Sequence, residues 1–105
     1  MMSDIQNPME IFQKEAPEVA KAFDGLIQSI VNSKGIDEKT KQLIYIAMKA
    51  ALNDPVAIKF HVPMAKKLGA TREEVVDAIL MTITVAGIKP VVSMLPEALE
   101  VYGKN

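Results

Sequence analysis

Apolar side chains recur along this chain at the three- and four-residue spacing of an α-helix. Between residues 19 and 31, Val19, Phe23, Ile27 and Ile30 fall on one side of a helical wheel. No segment alternates apolar and polar residues convincingly with the period of two that a half-buried strand requires. The pattern therefore predicts an all-α protein.

Capping residues and prolines divide this pattern into about six predicted helices joined by short turns. The helix starts are signalled at Pro8, Pro17, Asp37, Asp54, Thr71 and Pro90. The β-branched stretch 81–86 is predicted to continue the fifth helix, because it extends an established helical periodicity. The expected architecture is a compact helical bundle that forms a single domain over residues 1–105.

The third predicted helix, residues 38–52, is apolar around nearly its whole circumference. A helix that is apolar all round is buried all round, which in a short chain requires a central position or a partner subunit. Hydrophobic residues make up 50% of the chain, and the mean hydropathy is +0.16. So little polar surface predicts buried contacts between copies of the chain, and hence a homo-oligomer.

Composition and charge argue against several classes of partner. The formal net charge is -1 and aromatic residues make up 5% of the chain, so nucleic-acid binding is not expected. No apolar run reaches the ~18 residues of a membrane span, so no membrane partner is expected. Residues 1–6 lack the basic-then-apolar plan of a secretory signal, which favours a cytoplasmic protein.

The chain contains no cysteine and one histidine, His61. The missing cysteines exclude disulfides, thiol nucleophiles and thiolate metal sites. No metal site is expected at His61, because no second imidazole or thiolate exists to complete one, and no cofactor is predicted. Because the ordinary pKa of an imidazole lies near neutrality, His61 is the first candidate for acid–base chemistry.

His61 is predicted to face inward. On a helical wheel it shares one face with Asp54, Ile58 and Ala65. Two interpretations stay open at this point: a core histidine with its hydrogen bonds satisfied, or a catalytic acid or base. Pro63 leaves both open, since the backbone hydrogen bond that it removes either marks a simple kink or shapes a pocket beside the ring.

Blocks of residues over most of the chain are similar to one family. The blocks are residues 37–44, 50–53, His61, Ala65, 68–75 and 86–87. Together they resemble the carboxymuconolactone decarboxylase and alkylhydroperoxidase D-like superfamily, over about residues 20–102. The resemblance implies an all-α subunit that assembles into trimers or hexamers, with its site near the subunit contacts.

The redox branch of that superfamily uses a glutamate followed by Cys-x-x-Cys-x-x-x-His. His61 matches the histidine position, whereas the glutamate position falls on Gln42 and the two cysteine positions fall on Asp54 and Ala57. An amide cannot donate and regain a proton as a carboxyl group does. The resemblance therefore implies no dithiol peroxidase or disulfide-reductase chemistry for this chain alone.

The decarboxylase branch is free of cysteine and keeps the histidine. By resemblance, Lys59 and Lys41 match its two basic positions, where a cation favours a carboxylated lactone and the enolate that develops from it. His61 would then protonate the carbon left by loss of carbon dioxide, and Gln42 and Asp54 complete the predicted substrate-binding set. Both lysines lie off the His61 face, so each is either solvated surface or is brought to a site by a neighbouring subunit.

Three functions stay open on this evidence. The first is a lyase that acts on a small carboxylated molecule, with His61 as acid or base. The second is a non-catalytic subunit that binds a small molecule or serves assembly. The third is an antioxidant, peroxidase-like accessory protein that needs a partner's thiol.

Overall fold

The structure, a computed structural model, describes the backbone of residues 8–104 and the side chains of residues 9–104. The chain start used for the cytoplasmic prediction lies outside this range. Seven helices occur within it: α1 Pro8–Glu15, α2 Pro17–Val31, α3 Glu38–Ala51, α4 Pro55–Lys67, α5 Arg72–Leu80, α6 Ile83–Ala86 and α7 Lys89–Tyr102. No strand occurs among these residues, and the predicted all-α class is confirmed.

Contacts between residues divide the chain into two units, one up to Gly35 and one from Ile36 onward. In the first unit, α1 contacts α2, and the rings of Phe12 and Phe23 meet edge to face with their centroids 5.9 Å apart. Along α2 the apolar side chains are largely exposed, Leu26 among them. The single domain predicted for residues 1–105 stays a prediction.

The second unit holds the hydrophobic core. Helix α3 contacts α4, α5 and α7, and α7 also contacts α4 and α5. The buried core side chains are Ile46, Ala50, Ile58, Val62, Ala65, Ala70, Val75, Ile79, Met94 and Ala98. They come from all four of these helices and from the turn between α4 and α5, so this core fixes how α3 and α4 lie against each other.

Only one side of the apolar helix α3 is buried within the chain. Ile46 and Ala50 are fully enclosed, whereas Ile44 and Met48 are exposed, as is Leu52 directly after the helix. The other described helices therefore do not bury α3 all round within a single chain, and the predicted contact with a partner subunit stays a prediction.

The segment after α5 differs from the prediction of one continuous helix through residue 86. Helix α5 ends at Leu80, and the single turn α6 begins at Ile83. The hydroxyl of buried Thr82 donates to the Ile79 carbonyl at 2.7 Å, and the Thr82 N–H donates to the same carbonyl at 3.0 Å. These bonds span three residues instead of four, which ends the α-helical ladder and adds a helix to the predicted number.

The turn between α3 and α4 positions Asp54 at the start of α4. Asn53 adopts a left-handed conformation with φ 59°, which asparagine tolerates better than most residues. The Asn53 N–H donates to the Ala50 carbonyl at 2.9 Å, and the Asp54 N–H donates to the Lys49 carbonyl at 3.0 Å. These two hydrogen bonds end α3 and place Asp54 directly before the first residue of α4.

Among residues 8–104, no helix combines the length and the apolar character that crossing a bilayer requires.

Candidate functional site

The imidazole of His61 is held by a side-chain amide from the neighbouring helix. His61 Nδ1 on α4 lies 3.0 Å from Oε1 of Gln42 on α3. An amide oxygen can only accept a hydrogen bond, so the His61 Nδ1 carries the proton and donates it. In the neutral ring, Nε2 is then the nitrogen with a free electron pair, which is the form that acts as a base.

Tyr45 forms one wall of the same site. Its ring centroid lies 4.3 Å from that of His61, with an angle of 49° between the two planes. Gln42 and Tyr45 are three residues apart on α3, so both reach α4 from the same side of the helix. The imidazole is therefore fixed by a hydrogen bond and by a packed ring together.

Lys49 continues this side of α3 by one more turn. Its ammonium lies 5.6 Å from the centroid of the Tyr45 ring and 3.5 Å from Oδ2 of Asp54. The other carboxylate oxygen of Asp54 accepts the Ala57 N–H at 3.1 Å and so caps the start of α4. A cation, an anion, an aromatic ring and an imidazole thus lie together where α3 meets α4.

Burial lowers the pKa of His61 below its ordinary value of 6.5. The positive charge of Lys49 lowers this pKa further, and the negative charge of Asp54 raises it. Since burial and the nearby cation prevail, the neutral imidazole is the dominant form at neutral pH. Half-buried and neutral, His61 is suited to take up a proton from a bound molecule and return it.

The structure brings some of the predicted site residues together and leaves others apart. Gln42 and Asp54 lie at the His61 site as just described. Lys59 is exposed, and its ammonium lies 3.9 Å from a carboxylate oxygen of Glu97 on α7. Lys41 is half-buried on α3, one residue before Gln42. Of the lysines, Lys49 is the one whose charge acts on the imidazole.

A shallow apolar groove lies on another side of α3. It is lined by Ala47, Met48, Ala51, Met81, Thr82, Thr84 and Val85. On a helical wheel these α3 positions are turned away from Gln42, Tyr45 and Lys49. The groove is therefore separate from the His61 site.

Sequence reasoning missed Tyr45 and Lys49. A signal for both was present, because Gln42, Tyr45 and Lys49 follow one another at spacings of three and four residues and so share one helix face. The sequence does not show that α4 lies against this face, and it is α4 that brings His61 to it. The family pattern indicates Lys41 and Lys59 instead.

The fold and the site define a cysteine-free, all-helical protein with one amide-held imidazole between two helices. Residues 17–100 match the model of the carboxymuconolactone decarboxylase family. The chain therefore belongs to the carboxymuconolactone decarboxylase family, which confirms the resemblance predicted from the sequence.

Three similar proteins accompany this family match, and one of them, a solved structure, carries the family name. The crystal structure of an apo carboxymuconolactone decarboxylase family protein from Legionella pneumophila superposes with a TM-score of 0.79 at 36% identity, covering 90% of this chain and 83% of that chain. An uncharacterized protein from Methanocaldococcus jannaschii is 30% identical over 95 residues, which are 90% of this chain and 89% of that protein. A second uncharacterized protein from the same organism is 30% identical over 81 residues, 76% of this chain and 78% of that one.

Proposed function

We propose that this protein is a carboxymuconolactone decarboxylase-like lyase that acts on a small carboxylated molecule, with His61 as its acid and base. The observation that carries the proposal is the 3.0 Å contact between His61 Nδ1 and Gln42 Oε1. This contact fixes the tautomer and leaves Nε2 as the nitrogen that exchanges a proton. The lowered pKa of His61 keeps that nitrogen unprotonated in the resting protein and makes the protonated ring a stronger acid.

The proposed reaction is loss of carbon dioxide followed by protonation of carbon. The bond to the carboxylate carbon breaks and carbon dioxide leaves. The electron pair is delocalised through a ring double bond onto the lactone carbonyl, which gives an enolate. His61 Nε2, unprotonated at rest, first takes up a proton from water in the substrate complex. The resulting imidazolium gives that proton to the carbon and returns to its neutral resting form. Gln42 Oε1 keeps its hydrogen bond to Nδ1 throughout, so it orients the ring and is not itself protonated.

Release of carbon dioxide from a carboxylated γ-lactone tests this function. His61→Gln keeps a planar polar side chain of similar reach but removes the titratable group, so the expected result is a large loss of turnover. Lys67→Met, which changes an exposed lysine at the end of α4, is the control and should retain turnover. Turnover by His61→Gln equal to that of the parent protein, with unchanged helix content, would exclude this role for His61.

A non-catalytic binding protein is the second candidate, and one observation favours it. At the His61 site, the position that carries a titratable glutamate in the redox branch holds the amide of Gln42. The Asp54 carboxylate is engaged by the Ala57 N–H and by Lys49. With an amide in place of the glutamate and with the Asp54 carboxylate engaged, the site suits recognition of a small carboxylate as well as chemistry on it. Saturable binding of a carboxylated lactone without any release of carbon dioxide would favour this candidate.

We also propose that the chain assembles with copies of itself into a trimer or a hexamer in the cytoplasm. The support is the exposure of large apolar side chains within the single chain, for example 81% for Val85 and 71% for Leu52. Exposed apolar surface of this kind is typical of protein–protein contacts. Light scattering after size-exclusion chromatography measures the mass directly, and a stable monomer across micromolar concentrations would contradict the proposal.

A further inference from the structure

The His61 site contains a cation that the family pattern did not single out. Lys49, Tyr45 and His61 form a sequence of contacts across the junction of α3 and α4. The ammonium of Lys49 lies 5.6 Å from the Tyr45 ring centroid, and that centroid lies 4.3 Å from the imidazole. Lys49 and His61 thus both lie beside the ring of Tyr45.

The ion pair of Lys49 with Asp54 leaves the ammonium able to bind something else. The Nζ to Oδ2 distance is 3.5 Å, which exceeds the about 2.7–2.9 Å of a good charge-assisted hydrogen bond. The carboxylate of Asp54 is held at the turn, because its other oxygen caps α4 and its backbone N–H is bonded to the Lys49 carbonyl. An ammonium has three donors, so a second carboxylate can bind it without displacing Asp54.

The surroundings of Lys49 favour recognition over simple solvation. The side chain is 29% exposed, so it is reachable by a small molecule but screened from much of the solvent. Charge interactions are stronger in such a partly buried position than on open surface. The side chain of Lys59, by comparison, is 50% exposed and lies beside Glu97, where α4 contacts α7.

We propose that Lys49 is the anion-binding residue of the His61 site, and that it holds the carboxylate of a small cyclic molecule that packs against Tyr45. This inference rests on the proposed function and names the residue that selects its substrate class. The ligand's carboxylate accepts N–H donors from Lys49, its ring contacts Tyr45, and its reactive carbon is thereby brought towards His61 Nε2. A neutral ester of the same molecule loses the contact with Lys49 and should not be selected.

The single histidine makes the test direct, because its imidazole gives one set of nuclear magnetic resonance signals. The probe is 5-oxotetrahydrofuran-2-carboxylate, a carboxylated γ-lactone, with its methyl ester as the neutral comparison. In the parent protein we expect a saturable shift of the His61 signals with the carboxylate and none with the ester. Lys49→Met should weaken carboxylate binding at least tenfold. Lys49→Arg, which keeps the charge, should retain most of the affinity of the parent protein.

Two further lysines complete the design. Lys67→Met makes the same chemical change on exposed surface of α4 and should bind like the parent protein. Lys59→Met tests the rival anion partner, and a loss of binding there that equals or exceeds that of Lys49→Met would overturn the assignment. If Lys49→Met does not fold, Lys49→Gln takes its place with the same expected loss.

The outcomes separate this inference from the proposed function. If the parent protein binds the carboxylate and Lys49→Met binds it equally well, the assignment of Lys49 is wrong while a carboxylate site at His61 stands. If the carboxylate causes no saturable shift in the parent protein, both the proposed function and the assignment are wrong. A tenfold loss confined to Lys49→Met, together with selection against the ester, supports both.

Discussion

Lys49 and Asp54 contact each other twice. The backbone N–H of Asp54 donates to the Lys49 carbonyl at 3.0 Å, and the Asp54 carboxylate lies 3.5 Å from the Lys49 ammonium. The first contact ends α3, and the same carboxylate caps α4. One turn therefore joins the two helices of the His61 site and sets the charges that act on its imidazole.

Two substitutions of Asp54 should separate its capping role from its charge. Asp54→Ala removes the N-cap and should lower the free energy of unfolding by about 1 kcal/mol. Asp54→Asn keeps an oxygen that accepts the Ala57 N–H, so its cost in stability should be smaller. Because Asp54→Asn removes the anion that raises the pKa of His61, that pKa should fall. Urea unfolding and histidine titration measure the two effects. The His61 pKa should fall in both variants, and an equal loss of stability in the two would contradict this division.

The pKa of His61 should lie below 6.5 in the folded protein, chiefly because the ring is half-buried. Lys49→Met removes the nearby cation and should raise this pKa. In the parent protein, the lowered pKa means that the unfolded chain binds a proton at His61 more tightly than the folded chain does. The contribution of His61 to stability is therefore intact above pH 6.5 and declines as the pH falls below that value. His61→Gln should remove that part of the pH dependence. A pKa that does not move in Lys49→Met would show that the two groups do not interact.

Gln42 should decide which imidazole nitrogen carries the proton. The nitrogen chemical shifts of His61 should report protonated Nδ1 and free Nε2 in the neutral ring. Gln42→Glu places a carboxylate against Nδ1 and should raise the pKa of His61. Gln42→Leu removes the acceptor, which should abolish the tautomer preference and cost about 1 kcal/mol of stability. Dominant Nδ1 protonation that persists in Gln42→Leu would exclude this role for Gln42.

Lys66 should stabilise the end of α7. Its ammonium donates to the Tyr102 carbonyl at 2.7 Å and lies 4.7 Å from the Tyr102 ring centroid. Lys66→Met keeps most of the aliphatic chain but removes the charged donor, so the free energy of unfolding should fall by about 1.5–3 kcal/mol. Lys67→Met, its exposed neighbour, should change stability by less than about 0.5 kcal/mol. Thermal unfolding of both variants distinguishes a specific contact from a general effect of lost charge.

The core of the second unit should be sensitive to truncation at Ile58. This side chain is fully buried on α4, one turn before His61. Ile58→Ala should cost about 2–5 kcal/mol, because it loses buried apolar surface and leaves a cavity. Val56→Ala, at an exposed position on the same helix, should cost much less. Equal losses in denaturant midpoint would contradict the packing of α4 described above.

Helix positions were largely predictable because their signals are local. The proline and capping signals at Pro17, Asp37, Asp54 and Thr71 each mark a helix start in the structure. The exception is the break at Thr82. There a buried hydroxyl competes with the helical backbone for the Ile79 carbonyl, and burial of one threonine is not visible in hydrophobic periodicity.

By itself, the sequence determined the helical class, the family and His61 as the candidate acid–base group, because periodicity, caps, residue blocks and a single imidazole are all properties of the linear chain. The tertiary structure decided which side chains surround that imidazole. Gln42 reached it as the family pattern implied, whereas Lys49 and Tyr45 were not predicted and Lys59 pairs with Glu97 instead. The reason is physical: proximity between two helices depends on how their buried faces pack, and packing is set by the whole core and not by any one segment.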